Sequence, residues 1–212
     1  MMFHTEVLPP DQQIALRKTA AISTEIGCYL AGGTAVAAHV GHRQSVDLDW
    51  FTDRPLDEPM QLAERLIQAG IEFTTTGVQR GTLQGMVNGV RVSWIEFRYP
   101  SLHAPATWPE FGCSVASLPD LASMKLLAAT QRGAKRDFVD IYYLGLAGMP
   151  LSTMLDCYQR RFHIEDVGRV LFSLAYFDDA DRQPPPTMLT KVDWEEVKSV
   201  IRAWVQTYSD AE

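Results

Sequence analysis

The sequence predicts an α+β fold, with short strands and helices mixed in its first half and helices alone in its second. Three observations predict it. Short apolar runs stopped by glycine alternate with helix-spaced segments as far as residue 115. Asn88-Gly89 stands between two runs rich in Thr, Val and Trp, a hairpin signal because both turn residues accept a positive φ. After Ser117, apolar residues recur at helical spacing almost to the end. The implied division is an α/β core over 1–115 and a helical region over 116–212 packed on it.

Taken in order, Pro9-Pro10-Asp11 starts a helix over 12–26 that Gly27 ends. Cys28 to Ala31 is a short apolar piece stopped by Gly32-Gly33, and Thr34 to Val40 is a short helix closed by Gly41. Val46 to Phe51 alternates apolar and acidic residues, the pattern of a strand. Met60, Ala63, Leu66 and Ile67 give helical spacing over 57–69, which stops at Gly70. From Ile71 to Arg98 the Thr, Val, Trp and Ile residues favour pleated strands. Tyr99 to Pro109 is a connection, after which helices are expected over 119–132, 135–147, 150–162, 165–177 and 193–207. The stretch from Asp181 to Thr190, with Pro184-Pro185-Pro186, is a rigid loop before the last helix.

The 212 residues carry 19 Lys and Arg against 26 Asp and Glu, a net charge of −7. That balance excludes a protein that coats nucleic acid by bulk charge, but a local basic patch remains able to grip a phosphate. An apolar share of 46% suffices for a real core and excludes general disorder. Cys28, Cys113 and Cys157 fit neither a zinc pattern nor a disulfide framework, so a reducing compartment is expected. The opening stretch lacks the basic and apolar regions of a secretory signal, and no run approaches the roughly 20 apolar residues that span a bilayer. A soluble cytoplasmic protein with no membrane partner is the expectation.

The chemistry is concentrated between Leu30 and Thr52. Gly32-Gly33 lies between a strand-like piece and a helix start, where glycine lets the backbone approach a ligand and free amides favour an anion such as phosphate. Asp47 and Asp49 are two apart on a strand, so both carboxylates leave the same face. Carboxylates that close repel unless a cation sits between them, and magnesium takes hard oxygen ligands and bridges to substrate phosphates. A phosphate-binding loop followed by a paired-carboxylate metal site is a layout for phosphoryl transfer. Arg43 either clamps a phosphate or pairs with Asp47, whereas His42 and His39 read as structural. Arg132, Lys135 and Arg136 form a local positive cluster, suited to phosphate contact or to a solvated face. Asp137 and Asp140 share one helix face, where they serve the site or pair with Arg136.

Gly-Gly, a short helix and Asp-x-Asp together resemble the DNA polymerase beta superfamily of nucleotidyltransferases, and the string AGGTAVAAHVGHRQSVDLDWFT is similar to the AbiEii/AbiGii toxin family within it. Leu118 to Leu144 resembles that family's lysine and arginine–aspartate motifs, and Tyr176 to Ala180 with Pro184 to Pro186 its C-terminal segment. The resemblance implies a polymerase-beta-like core with a small mixed sheet. It implies a magnesium-dependent transfer of a nucleoside monophosphate from a nucleoside triphosphate to an RNA (a tRNA end) or protein acceptor. It also implies a toxin of a toxin–antitoxin or phage-defence system, with an antitoxin protein as partner. Carried onto this chain, Gly32, Gly33 and Thr34 cradle the triphosphate, Asp47 and Asp49 hold magnesium, and Lys125 meets a phosphate, with Arg43, Arg132 and Asp137 completing the nucleotide site. Superfamily members add a third carboxylate from a neighbouring strand. In the matching stretch from Val90 to Phe97 there is no Asp, and Glu96 is the acidic candidate, on the face of Val92 and Trp94 and opposite Ser93. Its strand-end position supports a rival to an active toxin, a nucleotide-binding or partner-binding module with weak transfer, and a small-molecule nucleotidyltransferase on the same core is a further alternative.

Overall fold

The computed structural model describes residues 2–211. The first half runs α1 (Pro10–Glu25), β1 (Tyr29–Ala31), α2 (Gly32–Val40), β2 (Asp47–Thr52), α3 (Pro59–Gln68), β3 (Phe73–Gln79), β4 (Thr82–Val87), β5 (Val90–Glu96), β6 (Ala106–Trp108) and β7 (Cys113–Val115). The second half runs α4 (Leu118–Arg132), α5 (Lys135–Leu146), α6 (Leu151–Phe162), α7 (Gly168–Ala175), α8 (Asp178–Asp181) and α9 (Trp194–Ser209). The strands form one mixed sheet in the order β3-β4-β5-β2-β1-β7-β6. β2 is parallel to β5 and β1 to β7, and the other neighbours are antiparallel. The chain is thus α+β, as the patterning predicts.

Local chemistry sets most boundaries. Pro at the first position of α1 needs no intrahelical hydrogen-bond partner for the N–H it lacks. Asn88 and Gly89 both take positive φ (52° and 75°), which closes the β4–β5 hairpin with a right-handed twist. Ser117 caps α4 by accepting from the Asp120 amide at 3.2 Å.

Two stretches differ from the sequence pattern. The connection over 99–109 contains β6, a three-residue strand paired with β7, too short to show alternation. The helix expected over 165–177 is shorter. Asp166 accepts from the Gly168 amide and delays the start, while Tyr176 adopts an extended backbone that separates α7 from α8.

The pleat of the central strands divides core from site. Leu48 and Trp50 on β2 and Val92 and Trp94 on β5 are fully buried on one face, with Trp50 and Trp94 in register. Trp94 Nε1 donates to Ser23 Oγ at 2.9 Å, tying α1 to that face. Asp47, Asp49, Arg91 and Ser93 alternate onto the other face, toward α4. Truncating Trp94 removes a large packed ring and its bond to Ser23. Trp94→Ala is therefore expected to cost about 3–5 kcal/mol, read as a lower urea midpoint with an unchanged m-value. A loss under about 1 kcal/mol contradicts this packing.

Candidate active site

β1 runs directly into α2. Ala31 at the N-cap has no side chain to cap the helix, so its first amides and the positive end of its dipole remain for an anion. Gly32 has φ +66°, and a Cβ there would stand 2.7 Å from Asp49 Oδ2. At Gly33 a Cβ would collide with the Arg43 guanidinium. Both glycines are therefore required by close approach of charged groups, and they hold the helix N-terminus against the carboxylates.

Asp47 and Asp49 open into a cleft of about 760 Å³. Its walls come from both halves of the chain: β2, β4 and β5, α4, and the segment from Gln183 to Thr187. Burial, followed by the charge of Asp47, pushes the Asp49 carboxyl above the ordinary range, while Lys125 and a hydrogen bond with Ser93 oppose that shift. Ser93 is the in-register neighbour of Asp49 on β5. A serine, not an acid, therefore faces the pair.

Glu96 requires correction. It pairs in register with Thr52, and the two-residue period sends it away from Ser93 and the cleft. Its Oε2 accepts from the Leu56 amide at 2.9 Å and its Oε1 pairs with Arg98. The amide and Arg98 together lower its pKa.

The cations of the cleft wall belong to a network of charges that is buried except at Arg132. Lys125 Nζ is 2.9 Å from Asp137 Oδ1 and 2.6 Å from Asp140 Oδ2. Arg132 grips Asp137 through Nε at 2.7 Å and Nη2 at 2.9 Å. Arg43 grips Asp140 in the same bidentate way, at 2.7 and 2.9 Å, and its Nη1 donates to the Gln44 carbonyl. His42 Nε2 is 2.8 Å from Asp140 Oδ1.

This changes the reading of three nucleotide-site residues. Arg43 is committed to Asp140 rather than to a phosphate or Asp47. Asp137 is fully buried outside the cleft lining and acts by holding Lys125 and Arg132. The Thr34 side chain is buried too. Its Oγ1 bonds Ser45 Oγ and the Asp47 carbonyl, which also accepts from Gln12, so it anchors the start of β2. Lys125, Arg132, Gly32 and Gly33 do line the cleft. Of the remaining basic cluster, Arg136 reaches to 3.7 Å from Asp47 Oδ2, whereas Lys135 lies over the Trp194 ring.

Sequence reasoning passed over Ser93, Arg91 and the Gln183–Thr187 wall. The first two were accessible through strand parity. The wall has no local signal, because Gln44 N–H to Thr187 C=O and Leu189 N–H to His42 C=O join segments far apart in the chain.

Among the described residues no group of three or more His, Cys, Asp and Glu side chains could hold a metal. The donor set that exists is two carboxylates beside a helix N-terminus. It fits a divalent cation that takes one or two protein carboxylates and completes its shell with phosphate oxygens and water. Among the described residues, no single helix is long and apolar enough to cross a membrane.

Residues 15–201 match the profile of the family described as nucleotidyl transferase AbiEii toxin, Type IV TA system. A curated but uncharacterised protein of Aquifex aeolicus is 31% identical over 204 residues, covering 95% of this chain and 97% of its own. Two solved structures share the fold. The nucleotidyltransferase toxin MenT4 from Mycobacterium tuberculosis has a TM-score of 0.55 and 16% identity, covering 92% of this chain and 82% of that one. JHP933 from Helicobacter pylori has a TM-score of 0.55 and 14% identity, covering 94% of this chain and 88% of that one.

Burial alone would raise the Asp140 pKa, but Arg43, Lys125 and the His42 hydrogen bond outweigh it and hold the carboxyl well below its ordinary range. Folded Asp140 therefore binds a proton less readily than unfolded Asp140. Its stabilisation is present above about pH 4 and is lost as pH falls through the lower, folded value. Asp140→Asn is expected to cost about 3–5 kcal/mol at pH 7 by stranding buried cations, and less in acid, as measured by urea midpoints across pH. Equal stability at pH 7 contradicts the network.

Proposed function

The chain belongs to the AbiEii nucleotidyltransferase toxin family, and we propose that it transfers a nucleoside monophosphate from a nucleoside triphosphate to an RNA or protein hydroxyl with magnesium. The observation that carries this is the contact between Gly32 and Asp49, which sets a bare helix N-terminus against a carboxylate pair. The α2 amides and Lys125 suit the triphosphate, and Asp47 and Asp49 suit magnesium. When bound, the cation supplies neutralisation of charge on the attacking and leaving oxygens. Asp137 and Asp140 hold Lys125 in the cleft wall by two short ion pairs. Arg136 adds positive charge at Asp47, and Phe51, Phe97, Leu121 and Met124 offer an apolar wall for a base. The acceptor hydroxyl attacks the α-phosphorus in line, its proton leaves to solvent or a carboxylate, and pyrophosphate departs.

The division at residue 115 belongs with this reading: 1–115 supplies amides and carboxylates, and 116–212 supplies Lys125 and the proline wall. A toxin's place opposite an antitoxin is likewise part of the proposal and follows the family description; a place in the cytoplasm belongs to the proposal as well. A second reading has one observation in its favour. Ser93 stands where an acid would help the acceptor, as suits a module that binds nucleotide but transfers poorly.

The test incubates the protein with α-labelled nucleoside triphosphates, magnesium, and bacterial RNA and protein. Asp47→Asn and Asp49→Asn are each expected to reduce label transfer by about 10²-fold or more. Each relieves carboxylate repulsion, so neither should melt below the wild type. Magnesium-dependent nucleotide binding without transfer in the wild type selects the second reading, and absence of binding removes both.

A further inference from the structure

We propose that β3 is a docking edge for a second copy of this chain, joined antiparallel to its own β3 about a two-fold axis, so that one sheet runs through both copies. This goes beyond the transfer reaction and stands without it. β3 is an outer strand, with β4 as its one neighbour in the sheet. Among the described residues, the backbone of Phe73–Gln79 bonds to β4 and to no other segment. An edge strand leaves alternate N–H and C=O groups unpaired, and charges or proline usually guard it. None of the residues from Phe73 to Gln79 is charged or proline.

Beside this edge lies an apolar stripe. α1 packs over β2 and β5, and α3 over β3 and β4. Arg65 of α3 pairs with Glu25 of α1, so the flank of α3 that carries Arg65 faces the middle of the sheet. Met60 and Ile67, seven residues apart, lie about 140–160° round the helix from Arg65, with buried Leu62, Ala63 and Leu66 between. That places them on the flank over the free edge. Val78 on β3 shares this face of the sheet, being in register with fully buried Leu83. Met60, Ile67 and Val78 are nonetheless 47%, 56% and 46% exposed.

The charges around this surface fit a copy of itself. Glu72 precedes the strand, and Arg80, which lies 3.7 Å from Asp57, follows it. Antiparallel approach of a second copy sets Glu72 of each beside Arg80 of the other, whereas parallel approach sets like beside like. The same two-fold brings Met60 of one α3 toward Ile67 of the other, so the two stripes cover each other. The bulge at Thr76, between the register pairs of Thr75 and Gly77, falls beside the axis. The three residues before it then meet the three that follow it in the other copy. With the axis perpendicular to the sheet, both Asp47–Asp49 clefts open on one side of the assembly.

The test is sedimentation velocity of the full chain across the micromolar range. The wild type is expected to pass from the mass of one chain to that of two as concentration rises. Ile67→Glu should weaken dimerisation about tenfold or more at an unchanged melting temperature. Glu72→Arg and Arg80→Glu each set like charges together and should weaken it about fivefold, while Glu72→Arg with Arg80→Glu restores the wild-type value. Thr76→Cys, oxidised with copper–phenanthroline, should form a disulfide-linked dimer, because Cα atoms beside the axis lie within about 7 Å of each other. Cys28, Cys113 and Cys157 are buried and do not compete. Leu146→Cys, exposed on α5, should not link. A wild type that stays single across that range overturns the proposal and favours a strand of another protein at this edge. So does a dimer that Ile67→Glu leaves intact, a double charge swap no tighter than either single one, or Thr76→Cys linking no faster than Leu146→Cys, since each places the contact elsewhere.

Discussion

Asp140 is fully buried, and its two oxygens take His42, Arg43 and Lys125 at 2.6 to 2.9 Å. Those partners come from the loop after α2 and from α4, while Asp140 itself sits on α5. One ionised carboxylate thus joins the start of the α/β half to the first two helices of the other half. A buried charge is costly unless paired, so the geometry of every partner is constrained at once. Arg43, fixed in this way, fills the space beside Gly33 and leaves no room there for a side chain. Lys125, fixed in this way, stands in the cleft wall close enough to oppose the upward shift of Asp49.

The distribution of charge follows from that constraint. Asp137 and Asp140 neutralise cations of the cleft wall from behind and keep them in place, and neither is part of the lining. Among the described residues, Asp47 and Asp49 face the cleft with only Arg136 at 3.7 Å as a direct ion-pair partner. The site therefore presents two under-compensated carboxylates next to a helix N-terminus, a combination that gains most from a divalent cation and a polyphosphate together. The net charge of −7 says little about this, since the cleft has its own local balance.

Much of the scaffold is legible in the sequence because it is local. Gly32-Gly33, Asp47-x-Asp49 and Asn88-Gly89 each act within a few residues, through backbone freedom or strand parity. Parity also bears on Glu96: Asp47 and Asp49 alternate with the core residues Leu48 and Trp50, so the site face of β5 is the one without Val92 and Trp94. Arg91 and Ser93 lie on that face, and Glu96 does not. The roles of Arg43, Asp137 and Asp140 are not legible in this way. Arg43 and Asp140 are 97 residues apart, and only packing of α5 against the loop after α2 makes them partners. The Gln183–Thr187 wall is illegible for the same reason, and β6 because three residues carry no period.

The central claim is that Gly32 brings the α2 amides and the Asp47–Asp49 pair together into one site for a magnesium–nucleotide. Calorimetric titration with an α,β-methylene nucleoside triphosphate, in magnesium and then in chelator, tests it on the wild type and on Gly32→Ala. A Cβ at Gly32 meets both a positive φ and the Asp49 carboxylate. The account predicts wild-type binding that requires magnesium and falls at least tenfold in Gly32→Ala while the variant still unfolds cooperatively. Binding of equal strength in chelator, or in a folded Gly32→Ala, would contradict it.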